Sequence, residues 1–316
     1  MPVRPGSYGY RVSLPDQRDL ILRFTTAQQK ATAASVDLRG TGYLPEVWDQ
    51  GNLGACVSHG TGAAYSYDLA KQGAEKNFTP ARLFIYYNGR VIENTVSSDS
   101  GLTIADGAKS INQYGCPPES DWAYSIGQYT MKPPQQAYTD GAARQSVKYA
   151  RVPQTVVDMQ ACLTGGYPIV IGFTVYESFE SSEVAGTGIV PMPGPGERVM
   201  GGHCTLLAGY QPDGTWILRN SWGRDWGQQG YFTMPQQYLT NPKYASDFWV
   251  VSQVESPDPT PIPPSPSPIP VPDAVDAALI AGMDPWADSK SIWSKITKAG
   301  RARDSYSLWK INRHYS

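Results

Sequence analysis

A thiol, an imidazole and two carboxamides fall in one order along this chain, as Gln50, Cys56, His203 and Asn220. These are the groups that acyl transfer through sulfur requires. A thiol is a strong nucleophile only as the thiolate, so Cys56 needs a neighbour that takes its proton and stabilises the charge. His203 can do both. The imidazole in turn needs a group that fixes its ring, and a tetrahedral intermediate needs donors for its oxyanion. Asn220 and Gln50 are the candidates for those two roles. Most free cysteines are small buried hydrophobes, and Cys56 alone would read that way. Its company reverses the reading: Gln50-Gly51-Asn52-Leu53-Gly54-Ala55 before it, and Gly202-His203 and Asn220-Ser221-Trp222-Gly223 downstream.

The elements that would carry these groups can be sketched from pattern. Cys56 to Ala70 reads as a helix opening on small residues, which places the sulfur at the positive end of the helix dipole. Thr79-Pro80-Ala81-Arg82 is expected to open a second helix, with proline at the first helical position. Residues 103–114 read as a third. Beyond Pro168 strand signals take over, at 169–175, 203–210, 215–220 and 230–234, with a turn at Gly209 to Gly214. Helices first and an antiparallel sheet afterwards is an α+β arrangement.

Composition bounds the rest. The chain has 316 residues, 41% of them hydrophobic, and a formal net charge of -2 that gives no support for nucleic acid as a partner. Residues 1–35 and 290–316 are basic and the middle is acidic, which suggests tolerance for basic substrate residues. No run of 18 apolar residues indicates a transmembrane helix, and the N-terminus lacks the apolar stretch of a secretory signal. Four cysteines are too few for a disulfide scaffold. Cys116, Cys162 and Cys204 read as reduced thiols, and a cytoplasmic location is expected, without ruling out release from the cell or packaging in a virion. Residues 1–35 read as a short regulatory segment and connector, 36–254 as one body, 255–272 as a Pro/Ser-rich linker of polyproline type, and 273–316 as a basic, Trp-containing tail for an unknown partner or anionic surface.

The block from Gln50 to Cys56 has the glutamine-to-cysteine spacing of the papain and cathepsin family. Leu218 to Gly223, with Trp226-Gly227 and Gly230-Tyr231, resembles that family's asparagine motif, and Gly202-His203 with Leu206 to Tyr210 resembles its histidine strand. The resemblance covers residues 36 to about 253. It implies a papain-like fold, with a helical subdomain, an antiparallel β-barrel-like subdomain and the active site in the cleft between them. It also implies a nucleophilic Cys56, His203 as base and then acid, Asn220 orienting the ring, Trp222 shielding that hydrogen bond, and an oxyanion hole from Gln50 and the Cys56 N–H. Ser100-Gly101 aligns with the glycine pair that binds substrate backbone, while Gly202, Cys204 and Trp222 would line the cleft. No metal or cofactor is implied.

Two positions depart from the family pattern. Leu53 stands where most members carry a disulfide cysteine, and Val57 replaces the aromatic residue after the nucleophile. Neither takes part in proton transfer. The 35-residue N-terminal segment is too short for the usual inhibitory prodomain, but Leu14 to Leu20 resembles bacterial and viral relatives with an abbreviated one, so the segment is read as covering the cleft. His59, one turn after Cys56, competes as a base by spacing but has no orienting partner in sequence. The expectation is a cysteine endopeptidase acting on protein or peptide through an acyl-enzyme, made as a zymogen. The rival readings are a catalytically silent binding module of the same fold and a peptide ligase.

Overall fold

The computed structural model describes residues 8–254; residues 1–7, the linker 255–272 and the tail 273–316 lie outside the described residues, with the readings made of them. In chain order the strands are β1 (Tyr10–Arg11), β2 (Val36–Asp37), β3 (Leu102–Thr103), β4 (Ser146–Arg151), β5 (Ile169–Tyr176), β6 (Val199–Tyr210), β7 (Trp216–Arg219), β8 (Tyr231–Met234) and β9 (Ala245–Val254). The helices are α1 (Thr26–Lys30), α2 (Cys56–Lys71), α3 (Arg82–Ile92), α4 (Ile104–Tyr114), α5 (Gln135–Ala142), α6 (Val156–Thr164), α7 (Ser182–Thr187) and α8 (Gln236–Thr240).

Helix α2 is the axis of the molecule. Fifteen of its sixteen residues are buried, so it has no solvent face and no amphipathic stripe. Its small residues let neighbours come close: a Cβ on Gly60 would lie 3.1 Å from the Cys204 sulfur, and one on Gly62 would lie 3.1 Å from Pro80. Its polar side chains are satisfied locally, Ser58 and Thr61 by carbonyls one turn back and Ser66 by the carbonyl of Phe78. Helices α3 and α4 pack around it, and α4 starts on Thr103, whose hydroxyl caps the Asp106 N–H.

The main sheet is antiparallel in the order β4-β9-β5-β6-β7-β8, with β2 added beside β6. Strands β4 and β8 do not pair with each other, so among the described residues the sheet is curved but open rather than a closed barrel. One apolar cluster packs around α2, α3 and α4; the other lies over the sheet around Phe173, Phe179, Trp216 and Phe232. The cleft runs between them, with α2 on one wall and β6 on the other.

Several sequence expectations need adjustment. Pro80 is not the first helical residue: it bridges Pro118 in extended form, Ala81 donates to Pro117 O at 2.9 Å, and α3 begins at Arg82. Strands β4 and β9 add to the expected sheet. The turn is tighter than expected, spanning Gln211 to Gly214, because Gly209 and Tyr210 continue β6. The connector at 25–35 is fastened to the body. It forms α1 with a capping box between Thr25 and Gln28, and Gln29 donates to Asp158 on α6 at 2.7 Å.

Candidate active site

Cys56 is the first residue of α2, and its side chain is fully buried. The backbone N–H groups of Cys56 and Val57 at the helix start act on the sulfur, and so do those of Cys204 and Gly9. Burial outweighs them and pushes the thiol up to about 11. Cys204 follows His203 on β6, which brings the imidazole strand against the sulfur.

The His203 ring is held on three sides. Its Nε2 donates to Asn220 Oδ1 at 2.8 Å. That oxygen also accepts the Ser221 N–H at 2.9 Å, which fixes the orientation of the carboxamide. Neutral His203 therefore carries its proton on Nε2, leaving Nδ1 as the free acceptor; Nδ1 is buried with no hydrogen-bond partner among the described residues. Trp222 lies over the ring at 4.9 Å between centroids and 30° between planes, keeping water from the His203–Asn220 bond. Phe173 and Phe179 close the other edges. Burial holds the imidazolium down to about 4 against the pull of Asn220.

Gln50 stands on the loop before α2, and that loop is pinned to the segment carrying Asn220. Gln50 N donates to Ser221 O at 2.9 Å, Ser221 Oγ donates to Gln50 Oε1 at 2.6 Å, and Gly223 N donates to Trp48 O at 3.1 Å. Gln50 Nε2 donates to Leu53 O at 2.9 Å. Buried Arg219 completes the clamp by donating to the carbonyls of Pro45 and Glu46 while stacking on Trp48. Within the asparagine motif, nothing in the sequence assigns this clamping role to Arg219 or Ser221. A lone arginine ending the apolar run Trp216-Ile217-Leu218 was the available signal.

His59 is excluded as the base. Its Nδ1 bonds Ala55 O at 2.9 Å and its Nε2 faces Arg82 at 3.2 Å, so the ring is neutral, buried and engaged at both nitrogens. Arg82 is in turn paired with Glu119 at 2.6 Å.

Residues 8–13 lie across this site as an extended strap. Tyr8 packs its ring edge on His203 at 5.9 Å and on Trp222 at 6.1 Å, and its hydroxyl donates to Glu180 at 2.6 Å. Gly9 crosses the sulfur. Its carbonyl accepts the Leu102 N–H at 2.7 Å, and β1 then pairs with β3 in parallel. The Tyr10 ring enters a slot between β5, β6 and β9. A Cβ on Gly101, which has φ +70, would lie 2.7 Å from the Gly9 carbonyl carbon, and one on Gly202 would lie 2.5 Å from Tyr10 O. Gly101 and Gly202 thus sit where backbone approaches backbone. Ser100 donates to Thr95 Oγ1 at 2.8 Å, and Cys204, its sulfur close to Gly60, packs in the same buried cluster as Tyr10. The segment singled out in sequence, Leu14 to Leu20, lies outside the cleft with Leu14 exposed. All four cysteines are unpaired.

The geometry sets an acceptor nitrogen, oriented by a carboxamide, on the strand whose next residue, Cys204, brings its N–H to the Cys56 thiol at a helix N-terminus. That arrangement can move a proton from sulfur to nitrogen and back to a leaving group. Residues 32–248 match the family model of the papain family cysteine proteases. An uncharacterized peptidase C1-like protein of Acanthamoeba polyphaga mimivirus is 40% identical over 274 residues, 79% of this chain and 88% of that protein. The cathepsin B-like CP3 of Giardia intestinalis is 29% identical over 60% of this chain and 64% of its own length. The crystal structure of xylellain, a cysteine protease from Xylella fastidiosa, superposes with a TM-score of 0.74 at 34% identity, covering 80% of this chain and 98% of that one. The α+β fold and these similarities place the chain in one family: it belongs to the papain family of cysteine proteases.

Proposed function

We propose that this cysteine peptidase is an endopeptidase that works through a Cys56–His203–Asn220 site and is made in a form covered by its own N-terminal strap. The observation that carries the reading is the 2.8 Å His203–Asn220 bond, which leaves Nδ1 as the one nitrogen able to receive the Cys56 proton. With that proton on His203, the sulfur attacks a peptide carbonyl carbon, and the carbonyl electrons pass to the oxygen, facing the Cys56 N–H and the Gln50 amide. Collapse of the intermediate breaks the C–N bond while His203 returns the proton to the leaving amine. Water, deprotonated by the same nitrogen, then cleaves the thioester.

The strap presents the wrong group for this chemistry, because Gly9 offers an N–H to the sulfur rather than a carbonyl carbon. Its direction is wrong as well. His203 must serve the leaving amine, so the leaving side of the cleft is the side where Tyr8 sits, and the acyl side is where Tyr10 sits. A substrate runs from acyl side to leaving side, whereas the strap runs the other way. Burial under the strap also favours uncharged thiol and imidazole over the ion pair that attack requires.

The test is labelling with a peptidyl electrophile near neutral pH alongside hydrolysis of a fluorogenic peptide. Cys56 is expected to be the labelled residue, with His203→Ala suppressing both signals at least a hundredfold. Equal labelling of the mutant would refute the assignment of the base.

A further inference from the structure

We propose that His59, held by Arg82 and Glu119, is a positioning residue for the oxyanion hole, acting on the carbonyl of the peptide unit whose N–H belongs to Cys56. This rests on the peptidase reading above and adds a residue behind the donors named there.

The Ala55–Cys56 peptide unit has two working ends. In the mechanism proposed above its N–H faces the developing oxyanion, and its other end is Ala55 O. Three donors converge on that oxygen: the His59 N–H at 3.2 Å, the Ser58 hydroxyl at 2.9 Å and the His59 ring nitrogen Nδ1 at 2.9 Å. The first is an ordinary i→i−4 helix bond; the two side-chain donors are additional. Because the peptide unit is planar, fixing its oxygen also fixes the direction of its N–H. Donors on the carbonyl draw charge from the nitrogen as well, which makes the N–H a stronger donor to an anion.

The partners of the His59 ring assign its proton. Ala55 O can only accept, so Nδ1 carries the hydrogen; Arg82 can only donate, so Nε2 accepts from its Nη1 at 3.2 Å. His203 holds the opposite tautomer. Burial and the Arg82 charge keep the His59 ring neutral, which preserves this form with one donor and one acceptor. The ring meets Tyr124 edge-on, at 4.9 Å and 88°, which fixes its plane.

Glu119 ties both proposed oxyanion donors to one anchor. Its carboxylate accepts Arg82 Nη2 at 2.6 Å, and its Oε1 accepts the Tyr124 N–H at 3.2 Å. From Arg82 the line runs through His59 to the Ala55 carbonyl. From Tyr124 it runs through the phenol, which donates to Gln50 O at 2.9 Å, to the residue that carries the second donor. The Arg82 guanidinium lies 4.7 Å from the Trp48 ring centre and 4.8 Å from that of Tyr124, so the relay is held on its flanks too. An apolar side chain would fill the space at residue 59 without the desolvation cost of a buried imidazole.

The experiment uses the full-length protein carrying Gly9→Ala, whose added Cβ would meet the Gly54 backbone and uncover the cleft. His59→Leu, His59→Asn and Glu119→Gln are compared with this parent by three readouts. These are kcat and KM on a peptidyl-aminomethylcoumarin, the inhibition constant of a peptide aldehyde, and the rate of Cys56 alkylation by iodoacetamide. With the aldehyde, the Cys56 sulfur adds to the carbonyl carbon, the carbonyl electrons pass to the oxygen in the hole, and the thiol proton stays on His203. In alkylation the sulfur displaces iodide and no oxyanion forms. Leucine removes the Nδ1 donor, so kcat should fall and the aldehyde constant rise about tenfold, with KM and the alkylation rate within about twofold of the parent. In His59→Asn the Nδ2 group takes the place of the ring Nδ1, and both values should return to within about threefold of the parent. Glu119→Gln, at the half-buried end of the relay, should raise the aldehyde constant about threefold, and it decides the matter if His59→Leu does not fold. Unchanged aldehyde binding in folded His59→Leu, or in Glu119→Gln when the former does not fold, would overturn the proposal. So would a loss shared equally by the aldehyde and iodoacetamide readouts, or His59→Asn faring no better than His59→Leu. If the parent neither cleaves the peptide nor reacts with the aldehyde, the peptidase reading fails too; a working parent unaffected by the changes at His59 and Glu119 fails this inference alone.

Discussion

Replacing Gly9 by alanine tests whether the strap governs access to Cys56. A Cβ at residue 9 would lie 2.6 Å from the Gly54 Cα and closer still to its carbonyl, where carbon–carbon contacts need about 3.5–4.0 Å. The obstacle is backbone, so no rotamer change relieves it, and the strap must retreat by about 1 Å or more. Such a lift takes the Leu102 N–Gly9 O contact from 2.7 Å out of hydrogen-bond range. The loss of that bond costs about 1 kcal/mol and partial withdrawal of Tyr10 about 1.5–3 kcal/mol. Together these shift the balance between covered and open cleft by about 10²–10³-fold, at 1.4 kcal/mol per decade. The assay is the second-order rate of Cys56 alkylation by iodoacetamide at pH 7, read by peptide mass spectrometry. Cys116 and Cys162 are buried and report any general unfolding. Labelling of Cys56 should accelerate by about the same 10²–10³-fold while those two stay silent. A Gly9→Ala protein labelled at the wild-type rate would refute the idea that backbone fit at residue 9 keeps the cleft covered.

Two further outcomes follow from the hydrogen-bond network and from burial. In the Gly9→Ala background, Gln50→Ala should lower kcat by about 10²–10³-fold through loss of an oxyanion donor. Ser221→Ala, which removes the bond to Gln50 Oε1 and leaves Nε2 on Leu53 O, should cost about tenfold, consistent with one hydrogen bond; equal losses would show that Gln50 acts through packing alone. Because burial lowers His203 from 6.5 to about 4 in the folded protein, the unfolded chain binds more protons between those values, so this contribution to stability is present above about pH 6.5 and is lost as pH falls toward 4. Between pH 7.5 and 4.5 wild type should lose about 2–3 kcal/mol more than His203→Gln in urea unfolding, and parallel pH profiles would contradict a buried neutral His203.

The chemistry was more legible in the sequence than the means of covering it. Cys56, Gln50, His203 and Asn220 stand out as candidates because each proposed role demands one functional group, and the structure joins His203 to Asn220 and Gln50 to Ser221. Helix α2 was legible through its small residues even though it lacks a polar face. The strap was not legible at residue level. Its fit depends on Gly9, Gly101, Gly172 and Gly202, four positions where the absence of a side chain matters only once distant backbones meet. Strands β4 and β9 were hidden for a related reason. Buried Lys148 and Asp247 break the apolar pattern, and the register shift at β5–β9 breaks the alternation. Pro80 misled because a proline before a helix pattern usually sits inside the first turn; here Pro117 and Pro118 hold that stretch extended instead.

The attachments behind the strap make it a ligand on a leash. Leu22 N donates to Arg151 O at 2.8 Å, Asp19 pairs with Arg151 at 2.7 Å, and α1 is fastened to α6. Residues 8–13 can therefore leave the cleft without leaving the molecule, and they return at an effective concentration of order millimolar. A substrate at micromolar concentration competes against that local excess rather than against an empty groove. Cutting the chain once in the exposed stretch from Leu14 to Arg18 would turn the same peptide into a free solute at the concentration of the protein itself. For a micromolar solution that is a dilution of about 10³-fold, achieved with no contact in the cleft altered.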